Sequence, residues 1–252
     1  MSTNEPSEVT PRAEMLTRAY GKIWDQRFGR IIRFWEGPPK RFPVRRRRNL
    51  VTTPESISDI DLMYYIKRYY SDREVKIVMQ PVGTLPDPVV DVVLHAFKKV
   101  KLEDLERTCQ AHRLSMQAEN IVGKLLERYV ATMLESKGWV WCAGETVRSV
   151  DFMTNEETSD VKLLQIKNRS NSENSSSSAV RRGTEIQMWF RIDSMTGQTN
   201  WASLPGNEDG TCNEEGFYEF IRLEAEEPRL IEEVPIEEAI AQKLVAEEEN
   251  NR

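Results

Sequence analysis

Residues 150–167 read VDFMTNEETSDVKLLQIK, and the fold turns on how this stretch is taken. Asp151 stands between Val150 and Phe152, a polar turn-like segment follows, and the stretch closes on Lys162, Leu163, Leu164, Gln165, Ile166 and Lys167. Apolar residues stand on both sides of Asp151 and lead up to Lys167, which predicts two short strands joined by a loop. Side chains alternate along a pleated strand, so Gln165 and Lys167 point to one face and Leu164 and Ile166 to the other. An acid, a neutral oxygen donor and a lysine on one sheet face suit metal-assisted phosphodiester hydrolysis. Hard Mg²⁺ takes oxygen ligands and keeps several waters, and a nearby Lys can orient a water or steady developing negative charge. Any hairpin with Asp at one end and Lys at the other shows the same letters, so the neighbouring segments must decide.

Upstream, Ile121, Val122, Leu125, Leu126, Tyr129, Val130, Met133 and Leu134 recur at i, i+1, i+4, i+5, which predicts a helix from Ser115 with one broad apolar face. Gly138 stops it, and residues 139–142 read as a buried strand. Glu127 falls on the border of the apolar face, where a carboxylate can lean over the sheet edge or simply lie solvated on a helix flank. Glu119, two turns earlier, is a second candidate.

Downstream, residues 168–184 read NRSNSENSSSSAVRRGT. A Ser-rich tract is commonly a linker, but this one is short, lies between two apolar strands and carries Asn and Arg at both ends. Asn suits adenine edges, Arg guanine edges, and Ser or Thr phosphates, so DNA contact is the favoured reading. Residues 185–191 and 199–204, around Thr196-Gly197, read as a hairpin.

The first 11 residues are polar, residues 12–35 have helical spacing, and Gly37-Pro38-Pro39 ends it. Residues 40–48, KRFPVRRRR, hold the densest cationic run, including Arg45, Arg46, Arg47 and Arg48; it is either a solvated loop or a contact with a phosphate backbone. Helical spacing resumes over residues 60–70, residues 75–79 suggest a short strand, and one or two helices follow from Pro86 to His112.

With 252 residues, 39% of them hydrophobic, the chain can hold one large domain or a core with a companion. No apolar run is long enough for a membrane span. The opening MSTNEPSEVTPRAEM lacks a signal-peptide pattern, so a cytoplasmic protein is expected. Cys109, Cys142 and Cys212 are widely spaced and read as reduced thiols. The net charge of −6 is carried by residues 221–252, with ten Glu against four Arg or Lys; the rest is neutral with its basic charge clustered, and distribution is what matters for nucleic acid. Only two histidines occur, which argues against chemistries built on several.

A helix with Glu127, a strand, the Asp151 strand and then the Gln165–Ile166–Lys167 strand, in that order, resembles the PD-(D/E)xK nuclease fold. More specifically, AENIVGKLLERYVA, GWVWCAG, VDF, LLQIKNRSNSENSSSSAVRRGT and WFR resemble the SinI/AvaII-type restriction endonucleases. The resemblance covers residues 114–204. It implies a Mg²⁺-dependent type II enzyme acting as a homodimer on double-stranded DNA, paired with a cognate methyltransferase without direct contact. Members cut the palindrome GG(A/T)CC and leave staggered ends. Asp151 matches the metal-binding acid, Lys167 the catalytic lysine and Glu127 the helix carboxylate. Gln165 departs from the usual Asp or Glu; its amide oxygen can still coordinate but adds no charge, so Glu127 or Glu173 would compensate, and the Ile166 carbonyl is a further candidate ligand. Base contacts are expected from Asn168, Arg169, Asn171, Asn174, Arg181 and Arg182.

The resulting expectation is an α/β protein. Its PD-(D/E)xK core (residues 113–204) has a mixed central sheet flanked by helices. A mostly helical region (1–112) clamps DNA or builds the dimer, and an acidic extension (205–252) follows. Water would attack the scissile phosphate in line, with Asp151 and Gln165 holding Mg²⁺ and Lys167 placing the water. The rivals are a structure-selective repair or junction-resolving nuclease of the same fold, a non-catalytic DNA-binding module, and a structural protein with a solvated loop.

Overall fold

A computed structural model of the chain describes residues 8–36, 46–47, 50–51, 57–79, 87–154, 161–170 and 185–226. Its elements run α1 (Val9–Ala19), α2 (Gln26–Glu36), β1 (Arg46–Arg47), β2 (Leu50–Val51), α3 (Asp59–Glu74), α4 (Pro88–Lys98), α5 (Leu102–Leu134), β3 (Val140–Trp141), β4 (Phe152–Met153), β5 (Leu163–Arg169), β6 (Ile186–Ile192) and α6 (Glu214–Glu226). The chain groups into two units: residues 1–75 with 126–227, and residues 76–125 with 228–252.

The first unit holds a four-stranded mixed sheet in the order β3-β4-β5-β6, antiparallel except for the parallel β5–β6 pair. Helices flank it, and the N-terminal part is mostly helical. The helical spacing of residues 12–35 resolves into two helices, because Gly21 sits at φ +78°, a conformation that turns the chain out of α1. α2 buries Phe28, Ile31, Ile32, Phe34 and Trp35, and an aromatic cluster joins Phe28 and Trp35 to Tyr65 and Tyr69 of α3. Ser58 caps α3 with a reciprocal Ser58–Asp61 capping box.

A buried network locks β3 to the helices. Arg73 donates to Glu135 Oε1 (2.6 Å) and to the Trp141 carbonyl (3.0 Å), and Arg27 also pairs with Glu135. Arg128 of α5 pairs with Glu224 of α6 (2.9 Å) and donates to the carbonyls of Asp72 and Val75 at the end of α3. Arg73, Glu135, Arg128 and Glu224 are tolerated in the interior because each is paired and hydrogen-bonded, while Arg27 reaches the pair from the surface.

The helix expected from Ser115 is the second half of a 33-residue α5 that begins at Leu102. The expected hairpin around Thr196-Gly197 reduces to a single Ile192–Thr199 bridge, after which residues 201–203 turn into a 3₁₀ segment. Residues 75–79 form no strand. In the second unit, α4 and the first part of α5 are joined through Lys99, which adopts a left-handed conformation at φ +58°. No helix among the described residues is long and apolar enough to cross a membrane.

Candidate active site

The site forms where β4 meets β5. Phe152 and Met153 pair with Leu164 and Leu163, and the amide of Asp151 also donates to the Leu164 carbonyl at 2.8 Å. Two successive residues therefore converge on Leu164, the count of a β-bulge, a device that re-aims a side chain. Asp151 is re-aimed along the sheet: its Oδ2 accepts the Ile166 amide at 2.7 Å. On its other side the Asp151 carbonyl accepts the Cys142 amide at 2.8 Å, so the acid is held from both neighbouring segments.

The N–H and C=O of one strand residue point the same way, so the Ile166 carbonyl faces the side on which Asp151 lies. Gln165 is buried and Lys167 half-buried, alternating with Ile166 as a strand requires. The hydrogen bond from the Ile166 amide to the Asp151 side chain thus ties the acid to the residue before Lys167, whose ammonium acts on the carboxylate.

Burial pushes the Asp151 carboxyl up to about 6 from its ordinary 3.8; the Ile166 amide and the Lys167 ammonium pull it down, and the field of Glu145 pushes it up. Part of the residue still reaches solvent. The net result is a desolvated acid short of positive charge.

Glu127 leans from α5 over β3, where its Oε2 accepts Trp141 Nε1–H at 3.1 Å. Trp141 pairs with Phe152, the neighbour of Asp151, and the buried Cys142 thiol feels both acids. Burial, then these charges among others, holds that thiol well above its usual range, so Cys142 stays protonated and is no nucleophile.

The sequence reading passed over Glu145. It lies on the turn from β3 to β4, at φ +53°, next to Gly144 at φ +73°. α3 clamps this turn: Arg68 donates to the Gly144 carbonyl (3.0 Å) and to Glu145 Oε2 (2.9 Å), and Gly144 N–H donates to Asp72 Oδ2 (3.0 Å). A Cβ on Gly144 would lie 2.6 Å from the Arg68 carbonyl carbon, so no other residue fits the approach. An acid between two strands, six residues before Asp151, was the signal available in the sequence.

The other expected residues fall as follows. Glu119 is exposed on α5 within the second unit. Asn168 Oδ1 accepts Arg191 Nε–H at 2.9 Å, and Arg191 in turn pairs with Glu214. Arg169 is exposed at the end of β5, and Arg46 and Arg47 lie on β1. Arg45, Arg48, Asn171, Glu173, Asn174, Arg181 and Arg182 lie outside the described residues.

Among the described residues no three His, Cys, Asp or Glu gather as a metal cluster. The strands bring to this point the Asp151 carboxylate beside the Ile166 backbone, with Gln165 next to it along β5, and waters would complete a shell. That all-oxygen, low-charge set fits Mg²⁺, which keeps waters and binds through one or two carboxylates.

Comparisons with known proteins identify the family. Residues 17–227 match the family model described as SinI restriction endonuclease. The chain is 45% identical over 160 residues to the type II restriction enzyme Eco47I of Escherichia coli, covering 63% of this chain and 70% of that protein. It is 43% identical over 159 residues to the type II restriction enzyme SinI of Salmonella infantis, covering 62% and 69%. A match across most of the chain, spanning the bulged acid and the lysine strand, leads to one conclusion: the chain belongs to the SinI restriction endonuclease family.

Proposed function

We propose that the chain is a cytoplasmic type II restriction endonuclease. It acts as a Mg²⁺-dependent homodimer that cuts both strands of the palindrome GG(A/T)CC and leaves staggered ends. Its core is of the PD-(D/E)xK type, and a cognate methyltransferase of the same system protects the host sites, with no direct contact implied. One observation carries the reading: Asp151 is bonded to the strand that holds Lys167, in a member of a restriction endonuclease family.

Asp151, Gln165 and the Ile166 carbonyl would hold the ion. When bound, Mg²⁺ supplies an activated water and neutralises phosphate charge. Asp151 keeps Oδ2 on the Ile166 amide, so Oδ1 is the oxygen it offers. Lys167 orients the water for in-line attack and stabilises the charge that builds on the phosphate. Glu127, anchored on Trp141, supports the site from the helix side. Arg169, with Asn171, Asn174, Arg181 and Arg182, would contact DNA, as would the 45–48 arginines. Asn168 would use its amide hydrogens, since its oxygen already serves Arg191. Residues 1–112 would clamp DNA or build the dimer, residues 113–204 would cut, and residues 205–252 form the acidic extension.

The test is digestion of a mapped plasmid with Mg²⁺, followed by sequencing of the fragment ends. Discrete fragments ending at GG(A/T)CC are expected. A smear, cutting at junctions alone, or binding without cutting overturns the reading.

A further inference from the structure

The second unit presents a physical problem. Among its described residues, 76–79 and 87–125, only Leu125 is buried. Yet α4, PVVDVVLHAFK, is well specified locally. Asp87 caps it by accepting the Val89 amide (2.9 Å), His95 Nδ1 meets the Val100 carbonyl at its other end (2.8 Å), and Cys109 of α5 donates to Asp91 (3.1 Å). Asp91, His95 and Lys98 share one side of it, and the valines, Ala96 and Phe97 make an apolar face over the rest, which a helix of this kind buries in the working molecule. Here Val89 is 62% exposed, Val90 49%, Val92 65%, Val93 47% and Phe97 79%, with Leu102 of α5 at 72%. These side chains offer roughly 600 Å² of apolar surface, close to the roughly 800 Å² that each partner gives to a standard stable interface.

We propose that α4, with the first turns of α5, is the surface through which two copies of this chain associate. A two-fold axis crossing the middle of α4, near Val93, sets the two α4 helices antiparallel. At 100° per residue Asp91, His95 and Lys98 share the side away from this face, and Asp91 is turned to Cys109 of the same chain, so the contact between the two helices is apolar and its charges stay at the rim. Two α4–α5 hairpins meeting this way close a four-helix core that neither has alone. The inference rests on the proposed function for the need of two chains: one catalytic centre cuts one strand, and a palindrome presents two.

The experiment compares the full chain, a Val92→Glu/Phe97→Glu variant and a chain ending at residue 227, by sedimentation velocity across concentration with circular dichroism as the folding control. The parent and the shortened chain are expected as dimers. The double variant is expected to fold and to dissociate at least about tenfold more readily. In a Cys109→Ser background, Val93→Cys is expected to form a disulfide-linked dimer on mild oxidation, and Met195→Cys, on the first unit, is not. This crosslink keeps the test open if the charged variant fails to fold.

A parent that stays monomeric overturns the inference. So does a double variant that remains dimeric, or a parent whose face becomes dye-binding only after truncation at 227, which would assign it to the chain's own tail. If the dimer survives the double variant while plasmid cutting continues, the surface is wrong and the function stands. A folded dimer crosslinked through residue 93 that leaves plasmid intact supports the surface and sinks the function.

Discussion

At the scale of the residue, Asp151 carries opposite demands of stability and chemistry. Its carboxyl is raised by burial to about 6 from 3.8. Below pH 3.8 the acid is protonated folded or unfolded and contributes nothing to the pH dependence. Between 3.8 and about 6 the folded state holds the extra proton, so stability falls as pH rises; above about 6 the cost is constant at about 2–3 kcal/mol. Asp151→Asn is therefore expected to be the more stable protein at pH 8, with the difference closing near pH 4, as measured by urea melts at both values. The same variant is expected to abolish cleavage. Lys167→Ala is expected to keep fold and DNA affinity while cleavage drops by about two to three orders of magnitude; a variant that cuts like the parent would remove Lys167 from the chemistry. Glu145→Gln removes a field that raises the Asp151 pKa. The acid limb of the pH–rate profile is then expected to move to lower pH, and an unmoved limb would mean that Glu145 does not reach the site.

At the scale of the element, the turn after β3 transmits the position of α3 to the acid. Gly144 has φ +73° and approaches the Arg68 backbone more closely than any Cβ allows. Gly144→Ala is expected to cost about 2–4 kcal/mol from backbone strain and steric clash together, read as a lowered urea midpoint with unchanged slope. The strand around Gln165–Lys167 was legible in the sequence because Leu163 and Leu164 lead into it and Ile166 stands between its two polar residues. The bulge at Asp151 was not, since nothing in VDF shows that two residues share one carbonyl. Glu145 was missed for a related reason: an exposed acid with positive φ resembles any loop residue until α3 is seen to hold it. The helix from Ser115 was legible from its apolar face and helix was expected up to His112, but residues 102–114 bury nothing, so no continuous stripe showed that the two are one helix. The expected hairpin near Thr196 is cut short after the Ile192–Thr199 bridge, where Trp201 is buried in an aromatic group with Tyr129, Trp189 and Phe217 and the returning chain enters a 3₁₀ turn.

At the scale of the whole molecule, the two features easiest to read were charge and family resemblance, and charge still has a consequence to measure. Residues 228–252 hold seven Glu against three Arg or Lys, while the densest cationic run lies at residues 40–48. A protein that binds a polyanion is slowed by its own negative charge over distances up to the Debye length, about 8 Å at physiological ionic strength. A chain ending at residue 227 is therefore expected to associate with a cognate duplex several-fold faster than the full chain at low salt. Long-range steering is screened as salt rises, so the two rates are expected to converge by about 0.5 M. Phosphate contacts themselves are untouched by the truncation, so the slope of log affinity against log salt should stay negative in both. Stopped-flow fluorescence over a salt series measures rate and slope together. Equal rates at low salt would show that the acidic extension does not shape the approach of DNA. A slope near zero in both chains would mean that the arginine-rich segments, residues 45–48 and 169–182, do not meet phosphate.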